Sequence, residues 1–240
     1  MKRNIFCILF FIVGCGTSGS SDEGSPELLR VIHGATEFDD LEITVFQASS
    51  SSSSASSARY AEAKEDPISL TTDYAGVLDY FAIPEGDIEV QVRESDTVLP
   101  TLQLTPSIES GSVQTLLLTE SSSVLTGTFI TDDTLKTNEG QFRIRLVNAI
   151  GTDIDAYIGF PSASFSDASV FASAVAATGA SSYQGIEEGE YNLYITRAGS
   201  STVVAENENV ILESGVRYSI VAFETEGGGQ PYSLRVLRDR

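Results

Sequence analysis

Few side chains in this sequence could carry out chemistry, and none of them stands in a recognisable catalytic motif. His33 is the only histidine among the 240 residues. A Ser-His-Asp triad would have to use this one ring, and a zinc site would need carboxylates to complete its ligand set. No nucleophile motif flanks His33, which ends a run of strand-forming residues. We therefore expect a structural hydrogen-bonding role for this ring, and we expect no enzymatic activity and no cofactor.

Carboxylates are the second group that could carry chemistry. Acidic pairs occur at Asp39 and Asp40 and, further along the chain, at Asp153 and Asp155. Calcium takes about six to eight oxygen ligands, and the sequence has no Asp-x-Asp-x-Asp-Gly loop followed by a glutamate. The four aspartates are weak candidates for cation binding, and solvated loops are the favoured interpretation. A carboxylate-based hydrolase stays open as an alternative, because it would need only two carboxylates in a cleft.

Cys15 is predicted to carry a lipid. Two basic residues precede an unbroken apolar run, Ile5–Val13, and a glycine stands directly before the cysteine. The run is too short for a membrane-spanning helix, which needs about 20 residues, but it suits an export signal. The tetrapeptide Ile12–Cys15 resembles the lipobox of bacterial lipoproteins, which implies cleavage before Cys15 and acylation of its sulfur. An ordinary cleaved signal and an uncleaved anchor are the alternatives.

The chain start therefore predicts both a location and a tether. Residues 1–14 are interpreted as a signal peptide, and residues 15–26 as the lipidated cysteine with a flexible linker rich in Gly and Ser. Two or three acyl chains make a lasting membrane anchor. Gly16 stands where an aspartate retains many Gram-negative lipoproteins in the inner membrane, so the resemblance favours the outer membrane, in the periplasm or on the cell surface.

Charge and cysteine content exclude several functions. Asp and Glu number 34 against 14 Lys and Arg, which gives a net charge of −20. Such a field repels nucleic acid, so no nucleic-acid partner is expected. Cys7 leaves with the signal and Cys15 is used by the lipid, so no disulfide is expected. The expected partners are the membrane, through the anchor, and an unknown protein or glycan.

The remainder of the chain is predicted to be an internal duplication. The paired glycines of its second and third anchors stand 25 residues apart in one copy and 26 in the other. Three anchors occur in the same order in both copies: Leu29–Gly34 with Ile144–Ala149, Tyr80–Gly86 with Tyr183–Gly189, and Glu109–Gly111 with Glu213–Gly215.

The duplication sets the predicted domain boundaries. Repeat 1 covers residues 27–133, a linker covers 134–140, and repeat 2 covers 141–240. The first copy is longer by about the length of the serine-rich run Ser49–Ser57, which is interpreted as an inserted surface loop. An adhesive or glycosylated loop is the alternative.

Alternation of Val, Ile, Thr, Tyr and Phe with polar residues predicts β-strands throughout, and therefore two tandem sandwiches. A short helix is a weak prediction over Ala168–Ala180, where alanine is frequent. Gly86 and Gly189 are expected to supply turns with positive φ, and Gly111 and Gly215 are expected to be turns as well. Tyr80 and Tyr183 are expected to be buried rings with satisfied hydroxyls. The predicted strands are Leu28–Ile32, Leu41–Phe46, Ile88–Arg93, Val113–Thr119, Phe142–Val147, Ala156–Phe160, Tyr191–Arg197, Arg217–Glu224 and Tyr232–Leu237.

These repeat positions resemble a family of bacterial lipoproteins built from tandem copies of an uncharacterised domain of unknown function. The family pattern is similar to Val-Arg-Val-x-His-x-x-Pro-x-Ala-Pro-x-Val-Asp-Val-Tyr-Val, then Tyr-x-x-Val-Pro-x-Gly-x-Tyr, then Leu-x-x-Gly-x-x-Tyr-Thr. Both copies lack the paired prolines of that pattern, and Asn148 replaces its histidine in copy two. The resemblance implies an Ig-like β-sandwich and a cell-envelope location, but no activity. The matching residues are Arg30, His33, Tyr80, Pro84, Gly86 and Gly111 in copy one and Arg145, Asp155, Tyr157, Tyr183, Gly189, Tyr191, Gly215 and Tyr218 in copy two.

Together these features predict an all-β extracytoplasmic lipoprotein that acts as a non-enzymatic binding or cell-envelope interaction module. Recognition is expected at loops at the ends of the sandwiches, because loops tolerate variation. A structural envelope spacer is the first alternative, and the carboxylate-based hydrolase is the second.

Overall fold

The computed structural model describes residues 26–48, 66–225 and 231–240. Within these ranges the chain is almost entirely β-strand, and the one helical element is a 3-10 turn at Phe165–Asp167. The predicted all-β sandwich class is therefore confirmed. Residues 1–14, Cys15 and the serine-rich run lie outside the described residues. No helix in the described ranges has the length and apolar character needed to cross a membrane.

In the described residues before the predicted linker, nine strands form the N-terminal sandwich. They are β1 (Leu28–His33), β2 (Asp40–Gln47), β3 (Ile68–Asp73), β4 (Val77–Ala82), β5 (Gly86–Glu94), β6 (Leu102–Leu104), β7 (Ser107–Ile108), β8 (Val113–Ser121) and β9 (Val124–Thr131).

Eight strands follow the linker and form the C-terminal sandwich. They are β10 (Gln141–Asn148), β11 (Ile154–Gly159), β12 (Ser169–Val175), β13 (Gln184–Glu187), β14 (Gly189–Arg197), β15 (Val203–Leu212), β16 (Arg217–Glu224) and β17 (Tyr232–Asp239).

The two sandwiches have the same strand order. In the N-terminal sandwich one sheet runs β4-β1-β8-β9 and the other runs β3-β2-β5-β6, with β7 paired to β5. In the C-terminal sandwich the corresponding sheets run β13-β10-β16-β17 and β12-β11-β14-β15. Each sandwich has one parallel pair, β1 with β8 and β10 with β16, among antiparallel neighbours.

Each sandwich has its own core, built from the inward residues of alternating strands. In β2, Leu41, Ile43 and Val45 are buried while their neighbours are partly exposed, as expected for a strand with one face on the core. Phe142 of the C-terminal core lies edge-on to the rings of Tyr191 and Tyr218. These cores fix the spacing of the two sheets within each sandwich.

The two sandwiches also share a buried interface. Every residue of β1 is buried, and so are the six central residues of β16, which shows that these strands are covered on both faces. A third apolar cluster fills the space between the sheets that contain β1 and β10, which we call the inner sheets. The four sheets therefore stack as four layers. The two sandwiches contact each other directly through their inner sheets, so the predicted linker is not their only connection. The cluster consists of Ile32, Leu117, Val147, Ala149, Val221 and Phe223.

Two local predictions are wrong. The region Ala168–Ala180 forms strand β12 instead of a helix, because pairing with β11 outweighs the weak helix propensity of its alanines. Gly189 does not have a positive φ, whereas Gly86, Gly111 and Gly215 have φ values of 87°, 70° and 78°. Gly189 instead makes room for the Tyr191 ring, which lies 3.2 Å from the position of an added Cβ.

Candidate functional site

Two buried arginines join the inner sheets of the two sandwiches. Arg30 of β1 and Arg145 of β10 are each 1 % exposed. Arg30 donates to Oδ1 of Asp239, at the end of β17 in the other sandwich. Arg145 donates to Oδ1 of Asp132, which follows β9 of the N-terminal sandwich. Each ion pair therefore crosses from one sandwich to the other.

Two hydroxyl groups hold the arginines and carboxylates in place. Thr115 accepts a bond from Nε of Arg30 at 3.2 Å and donates to Oδ2 of Asp132 at 2.7 Å. Ser219 accepts a bond from Nε of the second arginine at 2.8 Å and donates to Oδ2 of Asp239 at 2.8 Å. The same bonds thus occur twice, in a two-fold arrangement.

Tyr80 and Tyr183 complete the network. The Tyr80 hydroxyl donates to Asp132 at 2.6 Å, and the Tyr183 hydroxyl donates to Asp239 at 2.6 Å. The guanidinium of Arg30 lies 4.7 Å from the centre of the Tyr80 ring, and the second arginine has the same distance from Tyr183. Burial raises the pKa of both phenols, and the neighbouring carboxylates raise it further, so both hydroxyls stay protonated and donate.

The role of this network is structural, because its charges and hydrogen bonds satisfy one another. Two guanidinium cations balance two carboxylate anions, and every carboxylate oxygen accepts at least one hydrogen bond. For Arg145, burial lowers the pKa, but the charges of Asp132 and Asp239 and the hydrogen bond to Asp132 outweigh it, so the net shift is upward.

His33 and Asn148 occupy equivalent positions at the ends of β1 and β10. The Asn148 amide donates to the carbonyls of Thr152 and Val175 at 2.9 and 3.0 Å, and its oxygen accepts from the Ile150 amide at 2.9 Å. Asn148 thus ties the strand end to the neighbouring loop.

The imidazole of His33 is fully buried at the corresponding place. Burial lowers its pKa, and main-chain groups of Asp73, Ala35 and Thr72 around the ring partly oppose this shift. The ring also lies edge-on to Tyr74, with ring centres 6.1 Å apart. This position is enclosed by the fold, and neither ring nitrogen has a side-chain or main-chain hydrogen-bond partner among the described residues, so the predicted hydrogen-bonding role of His33 is not seen.

The four aspartates proposed as weak cation ligands lie at two separate places. Asp39 and Asp40 line an acidic cleft beside β2, where the pKa of Asp40 is raised because its protonated form can donate a hydrogen bond to the Asp73 carboxylate and because Asp73 is negatively charged. In the C-terminal sandwich, Asp155 accepts the amides of Ala174 and Gly199 at 2.7 and 3.0 Å.

Asp153 likewise accepts a main-chain amide, that of Ala177, at 3.2 Å. Asp153 and Asp155 therefore fasten loops next to β11. In the parts of the chain that the structure describes, no group of three or more His, Cys, Asp or Glu side chains is placed to hold a metal ion.

The open site of this protein is a cleft in the C-terminal sandwich, which we call the edge cleft. It has a volume of about 660 Å³ and lies between β12 and β13, the edge strands of the two sheets. This is within the range of about 300–1,000 Å³ that is usual for ligand sites. Its floor is made of Ile158, Phe171, Ala172, Ile186 and Tyr191.

Two aromatic rings give the edge cleft a fixed apolar wall. Phe160 is 63 % exposed and stacks on Tyr191, with ring centres 5.3 Å apart and an interplanar angle of 26°. The Tyr191 hydroxyl donates to the main-chain carbonyl of Glu187 at 2.8 Å, which holds its ring in place. Burial, followed by the charge of Glu187, raises the pKa of this phenol. The sequence did not lead us to predict this site. The one signal for it was Phe160 itself, an aromatic residue at the end of a predicted strand.

The rim of the edge cleft is acidic. Asp167 and Glu187 are both exposed there, and none of the described residues that line the cleft is basic. The Ser164 hydroxyl donates to the Asp167 carboxylate at 2.7 Å. The site thus combines an apolar floor with two carboxylates, which suits binding of an apolar group that carries a positive charge.

The fold and this site define, over the described residues, an all-β protein of two joined sandwiches with an apolar cleft at one edge of the C-terminal sandwich. Residues 27–157 match the family model described as "Domain of unknown function (DUF4397)". This match covers more than half of the chain, and the protein belongs to that family. The resemblance to an uncharacterised domain is therefore confirmed for the N-terminal sandwich and the first two strands of the C-terminal one.

Other comparisons add little. No curated protein matches the sequence. One similar solved structure is described as "Putative cell adhesion protein from Parabacteroides distasonis ATCC 8503", with 8 % identity over 90 % of this chain and 99 % of that chain. Its TM-score of 0.25 carries no argument about function.

Proposed function

We propose that this protein is a lipid-anchored module of the bacterial cell envelope that binds a partner in the edge cleft. Acylation of Cys15 holds it at the outer membrane, and the linker gives the two sandwiches reach from the bilayer surface. The supporting observation is the cleft itself, which places the exposed side chains of Phe160 and Val170 beside a floor of mostly buried apolar residues. Contiguous exposed apolar surface of this kind marks interaction sites in soluble domains.

The distribution of polar groups supports binding without catalysis. Asp132 and Asp239 are held by arginines, and Asp155 is held by main-chain amides. His33 is buried in the N-terminal sandwich, whereas the residues that line the edge cleft belong to the C-terminal sandwich. General acid and base catalysis needs a titratable group within hydrogen-bond reach of the reacting atoms. The two carboxylates at the cleft rim, Asp167 and Glu187, are exposed to solvent. Exposed charges of this kind attract a partner of opposite charge.

The anchor is tested by labelling cells with an alkyne analogue of palmitate. We expect the wild-type protein and a Cys7→Ser variant to carry the label and to sediment with membranes, because Cys7 leaves with the signal. We expect the Cys15→Ser variant to lose both properties. Label retained by Cys15→Ser, or recovery of an intact leader on the mature protein, would contradict the anchor.

Binding in the edge cleft is tested by photo-crosslinking in cells. A benzophenone amino acid is placed at Phe160 in the cleft or at Ile211, which is 70 % exposed on the opposite edge of the same sheet. We expect an adduct of defined mass from position 160 and none from position 211. A structural spacer predicts no adduct at either position, and equal adducts at both would show non-specific contact.

A further inference from the structure

We infer that the edge cleft binds an extended polypeptide segment, which pairs with the free edge of β12 and carries basic side chains next to bulky apolar ones. This inference rests on the proposed function, because it names the partner of the same cleft. It depends on three features of the site: an unprotected strand edge, an apolar floor and an acidic rim.

The first feature is the edge of β12. This strand pairs with β11 on one side, and in the described residues no strand pairs with its other side. A free edge presents a row of unpaired main-chain groups, and proteins usually protect it with charged residues or proline. The sequence of β12, Ser-Val-Phe-Ala-Ser-Ala-Val, has neither, and its only irregularities are two shifts in its register with β11, one on each side of Ala172. Such an edge is a template for addition of an extended peptide.

The second feature is the floor beneath that edge. In a bound strand every second side chain points to the same face, so alternate residues of the peptide reach into the cleft. Phe171 and Ile186 lie on the floor, and the stacked rings of Phe160 and Tyr191 form one wall. Rigid aromatic surfaces favour bulky apolar partners at low entropic cost. The floor therefore selects aliphatic or aromatic residues at alternate positions.

The third feature is charge. Asp167 and Glu187 stand at the rim, no basic side chain lines the described part of the cleft, and the whole chain has a net charge of −20. This field attracts a cationic segment and repels an acidic one, which affects both specificity and association rate. A lipid tail would gain nothing from two carboxylates, and neither a lipid nor a glycan would use the main-chain row of β12. The three features together favour a basic, apolar peptide.

The test uses the full-length lipidated protein in detergent micelles and a phage library of random heptapeptides. We expect enrichment of peptides that combine Lys or Arg with apolar residues at alternate positions. A synthetic peptide of the enriched sequence then serves as the probe in fluorescence anisotropy. We expect Val170→Trp, which fills the cleft beside β12, to weaken binding by at least about tenfold. The matched variant Ile211→Trp, on the opposite edge strand β15, should bind as wild type does.

Two further arms separate charge from main-chain pairing. The double variant Asp167→Asn with Glu187→Gln should weaken binding about fivefold at low salt and less at high salt, because the salt screens exposed charges. Its control is Glu206→Gln with Glu208→Gln, two exposed residues of β15. A probe that is N-methylated at alternate amides should lose binding, since it cannot pair with β12. The charge variants change only exposed side chains, so we expect them to fold. If Val170→Trp folds poorly, binding by the charge variants still tests the inference.

Several results would overturn the inference. They are no enrichment, enrichment of acidic peptides, equal binding to Val170→Trp and Ile211→Trp, and full binding of the N-methylated probe. If the crosslink at Phe160 forms while the library yields nothing, the cleft binds a partner of another class and the proposed function stands. If both experiments fail, the proposed function fails as well.

Discussion

At the scale of single residues, the buried ion pairs decide how the two sandwiches hold together. The shortest ion pair of each arginine is with a carboxylate of the other sandwich, and Arg30 also lies 3.7 Å from Asp132 of its own sandwich. Removing one partner of a buried pair leaves a charge in a medium that solvates it poorly, which typically costs about 3–5 kcal/mol. The network therefore favours this one arrangement of the two sandwiches over arrangements that would separate the buried charges.

Replacing Arg145 by Met tests this role. We expect Arg145→Met to lower the free energy of unfolding by about 3–5 kcal/mol, because buried Asp132 loses its directly bonded cation and keeps only Arg30, 3.7 Å away. The measurement is urea denaturation followed by tyrosine fluorescence. Arg238→Met is the matched control, since its ion pair with Glu213 is largely exposed and should contribute no more than about 1 kcal/mol. An equal loss in the two variants would show that the buried pair has no special weight.

His33→Asn tests the structural role of the histidine. Asn148 already fills the equivalent place in the other sandwich, so we expect the variant to fold with near wild-type stability at pH 8. Burial lowers the pKa of His33 in the folded state, whereas the unfolded ring titrates near 6.5. The unfolded state therefore binds the proton first, and the wild type loses stability as the pH falls through about 6.5.

The variant lacks this proton linkage, so its stability should fall less between pH 8 and pH 5.5. Urea midpoints at the two pH values give the comparison. Parallel loss in both proteins would mean that His33 is not the titrating group, and failure of His33→Asn to fold at pH 8 would contradict the equivalence with Asn148.

Sequence reasoning reached part of the network and not the rest. The predicted duplication marked Arg30, Tyr80 and their counterparts, because these types recur at matched positions. It did not identify Asp132 and Asp239 as their partners. Their bonds cross between the sandwiches, and no local periodicity records which face of one repeat meets the other.

At the scale of elements, burial explains which strands were predictable. All eight central strands of the four sheets coincide with predicted segments, but only one edge strand, β17, does. Central strands have two partners and at least one covered face, so they need dense β-branched and apolar residues. Edge strands such as β12 and β13 are short or rich in Ser, Ala and Gly, and their structure depends on pairing that sequence does not show.

The glycine that opens β5 gives a prediction at this scale. Gly86 has φ of 87°, and no atom lies within 4 Å of an added Cβ, so only backbone strain opposes a side chain there. We expect Gly86→Ala to cost about 1–2 kcal/mol, and Gly86→Asn to cost less, because Asn tolerates the left-handed region. Thermal denaturation measures both.

Gly185→Ala is the control for this prediction. Gly185 lies on β13 with no positive φ, and the nearest atom to its added Cβ is 3.4 Å away. We expect a change within about 0.5 kcal/mol, as for an ordinary surface position. If Gly86→Ala is as mild as Gly185→Ala, the turn before β5 does not require glycine.

At the scale of the whole molecule, the interface between the inner sheets couples the two sandwiches. Phe223 of β16 is 1 % exposed and packs in a cluster with Ile32 and Leu117 of the N-terminal sandwich. Separating the sandwiches would expose this apolar cluster and the buried ion pairs together. We therefore expect the chain to unfold as one cooperative unit and not as two independent modules on a linker.

Phe223→Ala tests this coupling by hydrogen exchange. The change leaves a cavity in the interface and should cost about 3–5 kcal/mol. If the sandwiches are coupled, amides of β5 in the N-terminal sandwich should exchange faster, to the same extent as those of β14, because both open in the same transition. Ile211→Ala, on an exposed face of β15, should change neither strand. Faster exchange confined to the C-terminal sandwich would show that the two sandwiches unfold separately. The buried arginines would then stabilise each sandwich by itself and would not couple the two.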